Sequence, residues 1–410
     1  MKIFYFLGGG FDHHGPSNHL MYAKISKALE LGHEVFMICS KVTHGDPKIP
    51  QEWIYNRHFK YEAVYQQSPA KNQFMKRYYS LAKYAWDCRK HLKLARDYDV
   101  MFIQSSAAAP FTVSIAKHYG KIPAVWNIQD MFPGSSIANG VMTKKWMQKF
   151  FYAFQKIAYR KADKITVISE DMKKSVVEQG VSPDKVEVIL NWYNDQIVHE
   201  VPWEENRFVK EQNLSKDLFY VQYAGTVGYN CDYKAFLHIA NGLKDEPRIR
   251  IQIIAFGSQY QQLKDEAKAM GITNIDFLPI QPQDMVSDVY SACSVCYIPL
   301  KQGVIWNSVP SKAGLLMACK RPVINSVDAE SWYYKDFNEN NIGISVPNTD
   351  YDASVKAIRY LFEHPDECKA MGLRAYEYGK KAYASTPHLM HYLEVYKSIA
   401  KNNPIMTNKK

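Results

Sequence analysis

The strongest constraint on this chain is a rhythm that runs through once and then begins again. In the first half the short apolar runs KIFYFL, HEVFMICS, DVMFIQ, IPAVWNI and KITVIS alternate with longer stretches of helical period such as SNHLMYAKISKALELG. In the second half FYVQYAG, IRIQIIAFG, IDFLPI, VCYIPL and RPVINS restart the pattern, with YQQLKDEAKAMG and PQDMVSDVYSA between them. Buried strands separated by helices are the signature of βαβ units, and such units build parallel sheets. At 410 residues the chain exceeds one ordinary core, so two doubly wound domains are expected. The polar stretch NWYNDQIVHEVPWEENRFVKEQNL reads as the connection between them plus an early helix, which places the first domain over 1–195, the second over 196–384, and a last helix and tail over 385–410. That helix is expected to cross back to the first domain.

Composition narrows the class. Hydrophobic residues make up 47% and charged residues 22%, and no run reaches the roughly 18 apolar residues of a membrane span. The opening MKIFYFLGGG runs straight into glycines and reads as a first buried strand of a cytoplasmic protein, not as a leader. Seven scattered cysteines argue against a disulfide framework, and Cys293-x-x-Cys296 lacks a second pair at zinc spacing, so it reads as core. The net charge of +10 is uneven: residues 1–195 hold 27 Lys and Arg against 17 Asp and Glu, and the remainder holds 24 against 24. A basic half attracts nucleic acid, an anionic membrane or a phosphate-bearing acceptor. No nucleic-acid recognition motif accompanies the charge.

In open α/β sheets ligands bind beyond the carboxyl ends of the strands. After the first strand comes GGGFDHHGPSNH, in which Gly8, Gly9, Gly10 and Gly15 allow close backbone approach before Ser17 or Asn18 caps a helix. It is not a GxGxxG, and the second strand ends in Cys39-Ser40-Lys41 without the acidic residue that holds a ribose, which argues against NAD. Asp12, His13, His14 and His19 are too close in sequence to converge on one ion, and Asp97-Tyr98-Asp99 sits at the amino edge of a strand, so no metal site is expected. In the second half YAGTVGYN and KQGVIWNSVPSKAGLLMACKRPV both follow apolar strands. Gly225 and Gly228 leave room for a diphosphate, and Ser308-Val309-Pro310-Ser311-Lys312 offers hydroxyls, N–H groups and a cation at a helix start. The helix TKKWMQKFFYAFQKIAYRKADK aligns Trp146, Phe150, Phe154 and Ile157 in one stripe, read as core. With KNQFMKRYYSLAKYAW, that stripe is the candidate for an anionic leaflet instead.

The order YAGTVG, GSQYQQLKDEAKAMGITNIDFLPIQP, IPLKQGVIWNSVPSK, ACKRPVINSVDAESW resembles the donor-binding half of family-four GT-B glycosyltransferases. It is nearest the SVPSK-loop group of bacterial capsule, O-antigen and exopolysaccharide sugar transferases. The first half is similar too, through GPSNHLMYAKISKALELGHEV, WNIQDMFP, ADKITVISEDMKK and VEVILNWYN. The resemblance implies an α/β GT-B fold, two Rossmann-like domains facing a central cleft, and retaining transfer of a sugar from a nucleotide diphosphate donor, a UDP-sugar by expectation. It implies no cofactor and no metal. The acceptor would be a saccharide or a polyprenyl-linked saccharide, and the protein could rest on the inner face of the membrane. Donor contacts would come from Gly225, Thr226, Gly228, Gly257, Lys301, Asn307, Ser308, Val309, Pro310 and Ser311. Lys312 would face the diphosphate and Asp130 would be the catalytic carboxylate, with a helix-capping Asp as its bland alternative. Gly9, Gly10, His13, His14, Gly15, His19 and Asn191 would line the acceptor side. Where many relatives carry two glutamates eight residues apart, this chain has Asn307 and Leu315. The cation pair after the glycine loop is also absent, so Lys312 and Lys301 carry the charge. A sugar-nucleotide epimerase of the same fold and a non-catalytic partner subunit are the rival functions.

Overall fold

The computed structural model describes residues 1–11, 18–42, 47–69, 73–105, 107–194 and 197–401. Backbone contacts divide the chain into two units. The first comprises Met1–Gly134, Met142–Asn191 and the chain from Thr386, and the second comprises Ser135–Val141 and Trp192–Ser385.

Among the described residues the first unit carries seven strands: β1 (Lys2–Leu7), β2 (Glu34–Lys41), β3 (Phe59–Tyr65), β4 (Val100–Gln104), β5 (Ala124–Asn127), β6 (Lys164–Val167) and β7 (Val186–Val188). They pair in the order β3-β2-β1-β4-β5-β6-β7, all parallel. The second unit carries β8 (Phe219–Thr226), β9 (Ile249–Phe256), β10 (Ile275–Leu278), β11 (Val295–Pro299), β12 (Val323–Val327) and β13 (Gly343–Pro347), again all parallel, in the order β10-β9-β8-β11-β12-β13. Strands covered by helices on both faces have no polar face to show, which is why β1, β4 and β11 are nearly uninterrupted apolar runs, buried along almost their whole length. In each sheet the strand order reverses direction beside the first strand, between β1 and β4 and between β8 and β11. Such a reversal leaves a crevice at the carboxyl ends.

The last helix, Ser385–Ile399, packs within the first unit. Tyr5, Phe102, Tyr392 and Tyr396 form a buried ring cluster, and the Asn127 side chain donates to Thr166 Oγ1 and to Tyr392 Oη, both at 2.9 Å. Lys24 is buried there too, its ammonium 4.0 Å from the centre of the Tyr392 ring. The 191–214 stretch is less of a free connection than its polarity suggests. Trp192, Tyr193, Val198 and Phe208 are buried, and Asn206 caps the helix Arg207–Glu211 while Arg207 pairs with Asp288 at 2.8 Å. All seven cysteines are free and buried. Asp99 lies at the amino edge of its sheet, where its carboxylate accepts the Lys2 N–H at 2.8 Å.

One expectation is corrected. The helix Lys145–Lys161 does not bury the Trp146, Phe150, Phe154, Ile157 stripe; it buries Phe151, Gln155, Ala158 and Tyr159. Trp146 is 68% exposed and Phe150 55%. Two apolar arcs overlap on this helix, and the arc that wins places Tyr159 against Trp126, 5.3 Å between ring centres, and Phe151 against Tyr78 and Phe132. Periodicity alone does not say which of two overlapping arcs meets the sheet.

Tyr392→Phe removes a partner from a buried amide and is expected to lower stability by about 1–2 kcal/mol. A denaturant midpoint shifted down at unchanged m-value checks this.

Candidate functional site

Three loops at the carboxyl edge of the second sheet are tied into one surface. After β8, Val227 N–H donates to Phe256 O at 2.7 Å, and Gln259 N–H donates back to Val227 O at 3.1 Å. Lys301 N–H, after β11, donates to Asn230 O at 3.1 Å, and its ammonium lies 3.4 Å from Gln259 Oε1. Gly257 sits where a Cβ would fall 2.3 Å from Val227 O, so only glycine lets the two loops close on each other. Thr226 is exposed beside it, and Gly228 follows at the turn.

The loop 301–312 is held from below by a residue the sequence reading passed over. Asp328, after β12, accepts the Gly303 N–H at 2.9 and 3.0 Å and is met by Asn348 Nδ2 at 3.3 Å. Asn307 turns back into its own loop, its Nδ2 donating to Gly303 O at 2.9 Å. The amides of Asn307 and Ser308 both donate to Val304 O, so of the N–H groups expected to face an anion those two are already engaged. Those of Val309, Ser311 and Lys312 take no partner among the described residues, and Pro310 has none to give. The helix that follows, Ala313–Ala318, is only six residues long, so its dipole contributes less than a full helix would.

The burden of charge therefore falls on Lys312. Its ammonium sits 3.5 Å from the centre of the Tyr223 ring, directly beside Gly225, where a Cβ would come within 2.6 Å of Nζ. Gly225 has φ 147°, a conformation that L side chains rarely adopt. Lys312 forms no ion pair among the described residues, and burial pushes its pKa down to about 8. The neighbouring thiols of Cys231 and Cys296 are pushed up by burial, to about 11 and about 12, and supply no negative charge near neutral pH. A desolvated cation without a counter-ion, beside a glycine that leaves the space open, is the arrangement an anionic ligand completes.

In the first unit the crevice between β1 and β4 is a cavity of about 260 Å³ lined by Gly8, Gly9, Gly10 and Phe11, by Gln104 and Ser105, and by Asn127, Gln129 and Asp130. Gly8 N–H donates to Gln104 O at 3.0 Å and Ser40 N–H to Gly9 O at 3.2 Å, which sets the glycine turn across the strand ends. Asp130 is exposed at the rim and lies four residues before the helix Gly134–Ala138. Asn191 is not in the lining but donates to Gln129 Oε1 at 2.8 Å, and Gln129 in turn donates to Asn127 Oδ1 at 2.9 Å. His19 is exposed on the first helix. His13, His14 and Gly15 lie outside the described residues.

Two family models match this chain, Glycosyltransferase Family 4 over residues 21–196 and Glycosyl transferases group 1 over residues 204–378. The chain belongs to glycosyltransferase family 4. Among curated proteins it is 24% identical over 242 residues to WbjE of Pseudomonas aeruginosa, named as a glycosyltransferase, which covers 58% of this chain and 59% of the relative. It is 23% identical over 167 residues to WcaI of Escherichia coli, named as a colanic acid biosynthesis glycosyl transferase, covering 40% of this chain and 41% of that one. Sucrose-phosphate synthase from Thermosynechococcus elongatus shares the fold with a TM-score of 0.74 at 14% identity, over 97% of this chain and 99% of that one. Anabaena HepE in complex with UDP follows at 0.70 and 14%, over 97% and 100%, and WaaG, a glycosyltransferase of lipopolysaccharide biosynthesis, at 0.66 and 14%, over 97% and 99%. The family fold is thus GT-B, with two Rossmann-like parallel-sheet domains.

In this family member the signals missed in the sequence were Asp328, Gln259, Gln104 and Gln129. Each is a polar residue at or shortly after the end of a strand, a pattern shared with ordinary turns.

A diphosphate seated at Lys312 would restore its pKa toward the ordinary lysine range, so ligand binding takes up a proton above about pH 8. Affinity for a nucleoside diphosphate is expected to fall as pH rises from 7 to 9.5, approaching tenfold per unit at the upper end. Calorimetric titrations at several pH values check this, and Lys312→Met should flatten the profile.

Proposed function

We propose that this chain transfers a sugar from a nucleotide diphosphate donor to a saccharide or lipid-linked saccharide in the synthesis of a surface polysaccharide. The observation that carries the reading is the uncompensated Lys312 ammonium, beside Gly225, at the crevice of the second sheet. A leaving diphosphate gains charge as the glycosidic bond breaks, and a desolvated cation with free amides at Val309 and Ser311 favours that state over the ground state. The Anabaena neighbour is described in complexes with UDP, with UDP and glucose, and with UDP-glucose, which supports a uridine diphosphate sugar as the donor to try first. Colanic acid and lipopolysaccharide assembly, named for WcaI and WaaG, supports a polysaccharide acceptor. Retention of configuration and independence of a divalent ion follow from the resemblance alone. Asp130, at the rim of the first unit's cavity, is assigned the reacting sugar or acceptor hydroxyl.

Lys312→Ala should weaken donor binding and slow turnover together, because the charge it faces is present before the bond breaks and grows as it breaks. Asp130→Asn should leave nucleotide affinity nearly intact while turnover drops by about 10²-fold or more. Both are read from donor titrations and steady-state rates in the presence of EDTA. Parental turnover by a stable, donor-binding Asp130→Asn variant removes Asp130 from the chemistry, and activity that returns only with Mn²⁺ or Mg²⁺ overturns the metal-free reading.

The acceptor's lipid carrier is supported by the exposed arc on the first unit. Met75 and Tyr79, 61% and 68% exposed, lie on the helix Phe74–Asp87, whose Tyr78 packs on Phe151 of the helix that carries the exposed Trp146 and Phe150. Lys76 and Arg77 on the first of these helices, and Lys144, Lys145 and Lys149 at the start of the second, are exposed as well. Aromatic side chains set among cations suit the interface of an anionic leaflet, while among the described residues no helix is long and apolar enough to cross one. Flotation with phosphatidylglycerol vesicles at low salt should carry the protein, and the Trp146→Ser/Phe150→Ser double variant should stay behind.

A further inference from the structure

The second unit holds a cavity of about 410 Å³ that the proposed reaction does not use. It opens at the amino edge of the sheet: Phe219 begins β8, Ser294 precedes β11 and Pro322 precedes β12. The donor loops leave the opposite edge, about 25 Å away along the eight residues of β8. Cys368, Lys369 and Leu373, on one face of the helix Pro365–Ala382, close the cavity from the side.

Its charge is unbalanced. Lys320, Arg321 and Lys369 line it against the single carboxylate of Glu200. Glu200 lies 2.9 Å from the Lys320 ammonium and 3.4 Å from Arg321 Nη2. Arg321 also donates to Ser291 O at 2.9 Å, while its Nε is buried with no partner. Lys369 is exposed and joins no ion pair among the described residues. Lys320 itself is held at φ 56°, an uncommon backbone state for a residue with a side chain. The backbone on either side of Glu200 is pinned, His199 N–H to Ser287 Oγ at 3.3 Å and Val201 N–H to Ser291 Oγ at 2.9 Å, so the Glu200 carboxylate is presented to the cations from a fixed point. Below the charges the lining is apolar: Phe219, Pro322, Pro365 and Leu373.

We propose that this cavity binds a small organic anion, its phosphate or carboxylate on Lys320, Arg321 and Lys369 and its apolar body on Phe219, Pro322 and Leu373, with Glu200 as an internal competitor for the same cations. The volume lies in the ordinary range of small-molecule sites. A carboxylate already resting on the cations shows that an anion fits there, and the two-charge excess shows that one carboxylate does not satisfy them. The site is separate from the donor loops and does not depend on the transfer reaction.

The test is a titration of the ¹⁵N-labelled full chain with hexyl phosphate, with hexanol and inorganic phosphate as the two partial probes. Hexyl phosphate should shift the amides of Phe219, Ser294 and Leu373 and bind more tightly than either part alone. Lys369→Ala should weaken it by about two- to fivefold, the range for a partly exposed charge pair, and Glu200→Gln should tighten it by a similar factor. Lys369→Glu, which breaks no ion pair among the described residues, should abolish it. Shifts confined to Gly225–Tyr229 and Ser308–Lys312 overturn the proposal, because they place the anion at the donor loops. Equal binding of hexanol or of inorganic phosphate overturns it as well, and so does a Glu200→Gln variant that binds more weakly.

Discussion

Everything functional in this chain depends on parallel strand pairing that starts in the middle of each sheet and grows outward in both directions. When β8 pairs with β9 on one side and β11 on the other, the connections that follow those strands must run to opposite sides. The backbone at their carboxyl ends is left without a crossing helix to cover it. The same reversal beside β1 opens the cavity bounded by the glycine turn and by Asn127, Gln129 and Asp130. The chemistry placed at each opening differs: one carries an uncompensated cation, the other a carboxylate and a chain of amides.

The cation is the more informative of the two. A partly desolvated ammonium without an ion pair costs stability unless it gives up its proton, and the lowered pKa of the half-buried Lys312 expresses that cost. Structure could have relieved it with a carboxylate, yet neither Asn307 nor Leu315 is acidic, and Asn307 is occupied with Gly303 O. The loop is instead held by Asp328, which accepts the Gly303 N–H, and the ammonium keeps no ion pair among the described residues. Rigidity and charge are thus supplied by different residues. The same separation holds in the first unit, where Asn191 and Gln129 brace the strand end while Asp130 remains at the rim.

The doubly wound class, the family and the strand-end loops were legible because they rest on local facts: apolar runs of strand length, glycines and caps at fixed offsets, and the order of motifs along the chain. The aromatic stripe of 146–157 was misjudged for a physical reason. Phe150 and Phe151 are adjacent, so two apolar arcs fit the helix, and the packing of Tyr159 on Trp126 and of Phe151 on Tyr78 and Phe132 selects between them. The 191–214 stretch, read as the connection between the domains plus an early helix, is more closely packed than its polarity shows. Its polar residues are spent on caps and ion pairs, as with Asn206 and Arg207 to Asp288, and they accompany buried Trp192, Tyr193 and Phe208 instead of marking a loose tether. β3 and β13 went unread as strands, since FKYEAVY and GISVP mix polar and apolar residues as edge strands do.

By itself the sequence determined that the chain forms two parallel α/β sheets and that glycine turns stand at their carboxyl ends, because hydrophobic period and backbone permissiveness are properties of neighbouring residues. Only the tertiary structure decided which amides of the 301–312 loop remain free, that Asp328 anchors that loop, that Lys312 lies over Tyr223 with no counter-ion among the described residues, and that Lys320 and Arg321 meet Glu200 in a cavity also lined by Lys369. Those outcomes depend on residues far apart in the chain competing for the same hydrogen bonds and the same charge, and that competition takes place only in the folded molecule.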